Sequence, residues 1–175
     1  MSQEIITLYE SKWLGLYRIG HWEFVRRPNS DACVGVLAIT DQNEVVLIEQ
    51  FRVPVQRRVI EIPAGLVGDE PEHRGDSLAE TASRELLEET GFRAGSVLPL
   101  LSSPTSPGIT PEITYLFHAT GLVRESEGGG TGGEDITVHL VPLGKLRGFL
   151  LERQAAGLAV DFKIHAAIAA AGIAF

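Results

Sequence analysis

Hydrophobic residues in this chain come in short runs separated by polar or glycine-containing breaks. Two dense runs, Val34-Gly35-Val36-Leu37-Ala38-Ile39-Thr40 and Val45-Val46-Leu47-Ile48-Glu49-Gln50-Phe51, have strand length and composition, and Asp41-Gln42-Asn43 supplies a hairpin turn between them. Val59-Ile60-Glu61-Ile62 predicts another short strand, ended by Pro63 and Gly65. Strand composition recurs at residues 97–101, 113–119 and 136–141. Upstream, residues 5–25 hold apolar and aromatic segments broken by Gly15 and Gly20, with Trp22-Glu23-Phe24-Val25 at their end. They predict a small antiparallel meander, followed by the turn Arg27-Pro28-Asn29-Ser30-Asp31.

The clearest helix spans residues 77–90. Ser77 can cap it, Glu80 completes a capping box, and Gly91 stands where a left-handed C-terminal cap belongs. Residues 143–156 and 162–171 read as two terminal helices, the apolar stretch 164–175 being too short to span a membrane and suited to docking on the core. Residues 125–134 carry Gly128-Gly129-Gly130 and Gly132-Gly133, so a mobile loop is expected there. The order of elements gives an α/β class: a mixed central sheet flanked by helices, with a small antiparallel sheet before it. The chain divides accordingly into N-terminal strands, residues 1–30, and a main domain, residues 31–175.

Composition narrows the function. A chain of 175 residues can bury roughly 70% of its unfolded surface and needs no staples. Cys33 is the single cysteine, which excludes an intrachain disulfide framework, and its apolar neighbours Ala32 and Val34 suggest a small buried hydrophobe. The formal net charge of −8 argues against nonspecific attraction to nucleic acid, though not against phosphorylated small molecules, because a bound divalent cation inverts the local field. No signal-peptide pattern opens the sequence and no apolar run is long enough to cross a bilayer, so a soluble cytoplasmic protein without membrane partners is expected.

Arg84-Glu85-Leu86-Leu87-Glu88-Glu89-Thr90-Gly91 carries the candidate chemistry. At the helical repeat Glu88 lies about 60° to one side of Glu85 and Glu89 about 40° to the other, so three carboxylates share one stripe. Ala79, Ala82 and Leu86 fall on the neighbouring face, where they can meet the sheet. Like charges so close repel, and a hard cation such as Mg²⁺, which prefers oxygen ligands, would offset that repulsion. The alternative is a solvated helix face with Glu80–Arg84 and Arg84–Glu88 pairs. Pro63-Ala64-Gly65 ahead of the helix offers a backbone carbonyl to a metal site, and Asp76 suits the positive end of the helix dipole.

Arg84, Glu85, Leu86, Glu88, Glu89, Gly91 and Phe92 match in order and spacing the end of the Nudix box, so the chain resembles the Nudix hydrolases. Pro71 stands where the family pattern has an acidic residue; if Asp76 fills that slot, residues 67–75 contain an insertion. The segments Trp22–Arg27, Val46–Arg52, Glu61–Gly65 and Ser106–Glu112 resemble the branch that hydrolyses ADP-ribose and other nucleoside-diphosphate sugars.

The resemblance implies an α/β/α sandwich and Mg²⁺, for which Mn²⁺ can substitute, held by Glu85, Glu88, Glu89 and the Ala64 carbonyl. Glu85 is among the catalytic residues it implies. It further implies that Arg52 contacts substrate phosphate, with Glu61 near the metals. A homodimer is implied, its N-terminal strands serving as dimerisation surface and substrate lid, with Trp22 and Phe24 placed to stack on a nucleobase. The general base is expected at Glu134, in the glycine-rich loop, with Glu112 as second candidate. The products would be a nucleoside monophosphate and a sugar phosphate. Hydrolysis of a dNTP or a dinucleoside polyphosphate is the alternative within the family, and a nonenzymatic nucleotide-binding module the alternative outside enzymes.

Overall fold

The apolar runs form strands buried on both faces, and a splay between two of them makes room for a site. The structure, a computed structural model, describes residues 4–30, 32–68, 71–131, 133 and 135–174. Strands β1 (Ile6–Glu10), β2 (Gly15–Ile19) and β3 (Trp22–Arg26) form the expected antiparallel meander as a sheet of their own. Gly20, at φ 61°, turns the chain between β2 and β3.

β4 (Ala32–Ile39) and β5 (Glu44–Arg52) are joined by the expected hairpin, in which Asn43 takes a left-handed φ of 62°. They pair only near the turn, through Ala38 with Val46 and Ile39 with Val45. Beyond it they separate. β6 (Arg57–Glu61) continues antiparallel along β5, and β7 (Ala64–Leu66) crosses to lie against β4. Pro63, at the crossing, accepts a hydrogen bond from the Val36 amide at 2.8 Å, so the gap is bridged by the segment carrying Pro63-Ala64-Gly65.

Helix α1 (Leu78–Thr90) follows, then β8 (Phe92–Arg93), β9 (Ser96–Pro104), β10 (Ile113–Thr120), β11 (Val123–Arg124), β12 (Thr137–Pro142), α2 (Leu146–Ala155), β13 (Ala159–Val160) and α3 (Phe162–Ala170). Among the described residues the main sheet has the order β13-β6-β5-β4-β10-β9, with β12 also on β5 and β7 also on β4. β10 runs parallel to β4 and β13 parallel to β6, which makes the sheet mixed.

Strand alternation sends successive side chains to opposite layers. Val34, Val36, Ala38 and Val46 pack with Ala82 and Leu86 of α1. Leu37, Val45 and Leu47 pack with Leu146 and Leu150 of α2 and with Ile164, Ala167 and Ile168 of α3. The expected α/β/α sandwich results. The helix expected over 143–156 begins instead as a 3-10 turn, Leu143–Lys145, before α2. No described helix is long and apolar enough to cross a membrane.

Candidate active site

Helix α1 is held at both ends. Ser77 Oγ accepts the Glu80 amide at 3.2 Å while Glu80 Oε2 accepts the Ser77 amide at 2.8 Å, and Gly91 closes the C-terminus at φ 74°. With Ala82 and Leu86 turned into the core, Glu85, Glu88 and Glu89 line a cavity of about 550 Å³. Glu89 is buried, and its Oε2 accepts the Ala64 amide at 2.9 Å. At Gly65 a β-carbon would lie 2.0 Å from the carboxyl carbon of Glu85, so glycine is required by close approach.

Arg84 bridges two of the three acids, with Nη2 at 2.9 Å from Glu85 and Nη1 at 3.2 Å from Glu88. Its Nε lies 3.9 Å from Asp76, which also faces His73 Nδ1 at 3.0 Å. Asp76 thus sits behind Arg84. Among the described residues no three acidic, histidine or cysteine side chains converge on one point. The donor set nevertheless suits a hard divalent cation: three carboxylates, backbone at Ala64, and a Glu85 carboxylate brought against the turn by the missing side chain at Gly65.

The β5–β6 ladder supplies another wall. Arg52 Nε lies 3.1 and 3.0 Å from the two Glu61 oxygens and Nη2 lies 2.7 Å from Oε2, while Gln50 Nε2 donates to Oε2 at 2.9 Å. Burial works against the Arg52 charge, but hydrogen bonding to Glu61 and its negative charge outweigh that, and the guanidinium is held above its ordinary pKa. Lys163, from the first turn of α3, also lines this cavity. Sequence reasoning passed over it, because one lysine in an apolar terminal helix gives no sign of the face it occupies.

Glu112 lines the cavity and pairs with Arg27 at 3.4 Å. Cys33, expected as a small buried hydrophobe, is partly buried and lines it too; burial raises the pKa of its thiol, and Thr114 Oγ1 lies 3.7 Å away. Neither Trp22 nor Phe24 is among the lining residues; Trp22 is exposed, and Phe24 stacks on Tyr17 with ring centroids 5.8 Å apart. Glu134, the expected base, lies outside the described residues, as does Gly132.

The glycine-rich loop was expected to be mobile, yet its first half is anchored. Glu125 N donates to Gly91 O at 2.8 Å, Gly129 N to Glu89 O at 2.9 Å and Gly130 N to Glu88 O at 3.1 Å. These amides satisfy carbonyls that the end of α1 would leave unpaired. Gly128, at φ 71°, would place a β-carbon 2.4 Å from the Thr90 carbonyl carbon. The glycines therefore serve contact. Thr131, just beyond them, lines the cavity.

Residues 30–160 match the family model for the NUDIX domain. A methanol dehydrogenase activator of Bacillus methanolicus is 40% identical over 121 residues, 69% of this chain and 60% of that protein. An ADP-ribose pyrophosphatase of Bacillus subtilis (strain 168) is 39% identical over 124 residues, covering 69% and 62%. A GDP-mannose pyrophosphatase of Enterobacter sp. (strain 638) is 39% identical over 110 residues, covering 58% and 54%. The chain thus spans about three fifths of the length of the first two relatives. A solved structure described as an ADP compounds hydrolase shares the fold, with a TM-score of 0.67 at 22% identity over 83% of this chain and 80% of that one.

Proposed function

The chain belongs to the NUDIX family, and from that premise we propose that it is a magnesium-dependent hydrolase of the diphosphate in a nucleoside-diphosphate sugar, ADP-ribose foremost. The observation that carries the reading is one cavity lined both by Glu85, Glu88 and Glu89 of α1 and by the Arg52–Glu61 pair. Carboxylates for a divalent cation and a guanidinium fork for an anion are the two groups that diphosphate binding needs. The names of the Bacillus subtilis and Enterobacter relatives support the substrate class.

In this reading Glu85, Glu88, Glu89 and the Ala64 carbonyl hold Mg²⁺, with Mn²⁺ able to replace it. When bound, the cation neutralises diphosphate charge and makes water a better nucleophile at neutral pH. Arg84, bridging Glu85 and Glu88, orients both carboxylates before substrate arrives. Arg52, held by Glu61, whose carboxylate also accepts from Gln50, presents its remaining donors to a phosphate oxygen. A carboxylate takes the proton of the attacking water. Glu134 is the preferred base, since Glu112 already answers Arg27. Nucleoside monophosphate and sugar phosphate leave.

The proposal includes a cytoplasmic homodimer. Ile6, Leu8 and Tyr9 of β1 are exposed, as are Trp13 and Trp22 nearby, an apolar surface that a second copy would cover. Such pairing would use residues 1–30 as interface and lid, and bring Trp22 and Phe24 to the partner's nucleobase. The test is a substrate panel with Mg²⁺. ADP-ribose, GDP-mannose or UDP-glucose should be hydrolysed far faster than dNTPs or diadenosine polyphosphates; the reverse preference would overturn the assignment.

A further inference from the structure

Lys163 stands in the first turn of α3, where the helix dipole disfavours a cation. Asp161 compensates twice. Its Oδ1 accepts the Lys163 amide at 2.7 Å as the helix cap, and its Oδ2 forms an ion pair with the Lys163 ammonium. Both side chains are largely buried, 15% and 12% exposed, so the ammonium has little freedom to swing into solvent.

The sheet decides where this pair lies. β13 runs parallel to β6 with Val160 opposite Ile60, and Asp161 N donates to Ile60 O at 2.9 Å. Asp161 therefore directly follows β13, Glu61 is the last residue of β6, and the pairs Asp161–Lys163 and Glu61–Arg52 come from neighbouring strand ends. Lys163 and Arg52 both line the cavity. Arg84, by contrast, is engaged by two carboxylates of α1. An ammonium has three donors, and Asp161 accepts one of them. A largely buried ion pair is weak support for stability.

We propose that Lys163 is a substrate-binding residue whose ammonium donates to a phosphate oxygen of the diphosphate beside the Arg52 guanidinium, with Asp161 as its positioning residue. The inference rests on diphosphate hydrolysis in this cavity. A full positive charge on a short tether suits a phosphate oxygen better than a sugar hydroxyl. The two cations also differ in kind: Arg52 fixes an orientation by its fork, and Lys163 adds a point charge.

The experiment compares wild type, Lys163→Met and Lys163→Arg in steady-state hydrolysis of ADP-ribose with Mg²⁺, with melting temperatures alongside. Lys163→Met should raise KM by ~10-fold or more, the worth of one charge-assisted hydrogen bond, with kcat changed much less. Lys163→Arg should recover most of the loss, and the lysine-dependent part of the KM should shrink at high salt. An unchanged KM, or a fall in kcat alone, would overturn the proposal. A measurement on wild type avoids any folding defect: a noncleavable α,β-methylene analogue of ADP-ribose should protect Lys163 from reductive methylation, read by mass spectrometry. Equal methylation with and without the analogue would also overturn it. A wild type that leaves ADP-ribose intact refutes the diphosphatase reading itself, which is a separate outcome.

Discussion

At position 65 a single hydrogen atom in place of a side chain lets Glu85 reach the turn that precedes its own helix. The group that a β-carbon would meet is the far end of a flexible glutamate, so Gly65→Ala should displace Glu85 without unfolding the protein. Displacing one site carboxylate by about an ångström is expected to lower kcat/KM roughly 100-fold while the melting temperature stays near wild type. Unchanged kinetics would mean that Glu85 is not needed where the structure puts it. Helical spacing pointed to the three glutamates on one stripe and the turn Pro63-Ala64-Gly65 to a backbone ligand, whereas Arg52 was singled out by the family resemblance. Lys163 and Cys33 were not legible in the same way. Whether a lone lysine or thiol faces solvent, core or cavity is decided by strand register and helix docking, which no local pattern encodes.

At the scale of elements, α1 has to stay rigid because its last turn carries Glu88 and Glu89. Ser77→Ala removes the cap and should cost about 1 kcal/mol of unfolding free energy in urea titrations. Glu80 is held below its ordinary pKa, first by the Ser77 backbone amide and then by the Ser77 side chain. A depressed folded-state pKa adds stability above the unfolded-state value and loses it as the pH falls through the folded one. The deficit of Glu80→Gln relative to wild type should therefore be present at neutral pH and fade as the pH falls below the ordinary glutamate pKa of about 4.3. A deficit independent of pH would contradict the carboxylate's role.

Long elements with clear caps or dense apolar runs, such as α1, β4 and β5, lay in the sequence almost as folded. β7, β8, β11 and β13 did not, since two or three residues carry no periodicity. The glycine-rich loop misled for a physical reason: glycine permits both mobility and tight contact, and only the neighbouring end of α1 determines which.

For the whole molecule, the two-faced sheet followed from the order of elements, whereas the splay of β4 from β5 that opens the cavity came only with the three-dimensional pairing. The exposed apolar meander should make the protein a homodimer. Light scattering should give twice the 18.9 kDa chain mass, and Trp13→Glu should shift it toward the monomer if that surface is the interface. A monomeric wild type would remove the proposed role of Trp22 and Phe24. The central claim is that the carboxylates of α1 serve hydrolysis of a diphosphate. It is tested most directly by the rate of ADP-ribose hydrolysis with Mg²⁺ for wild type and Glu89→Gln, each with its melting curve. Glutamine still accepts the Ala64 amide, so the fold should hold while the rate drops at least roughly 10²–10³-fold. An inactive wild type, or a folded Glu89→Gln as fast as wild type, would contradict the account.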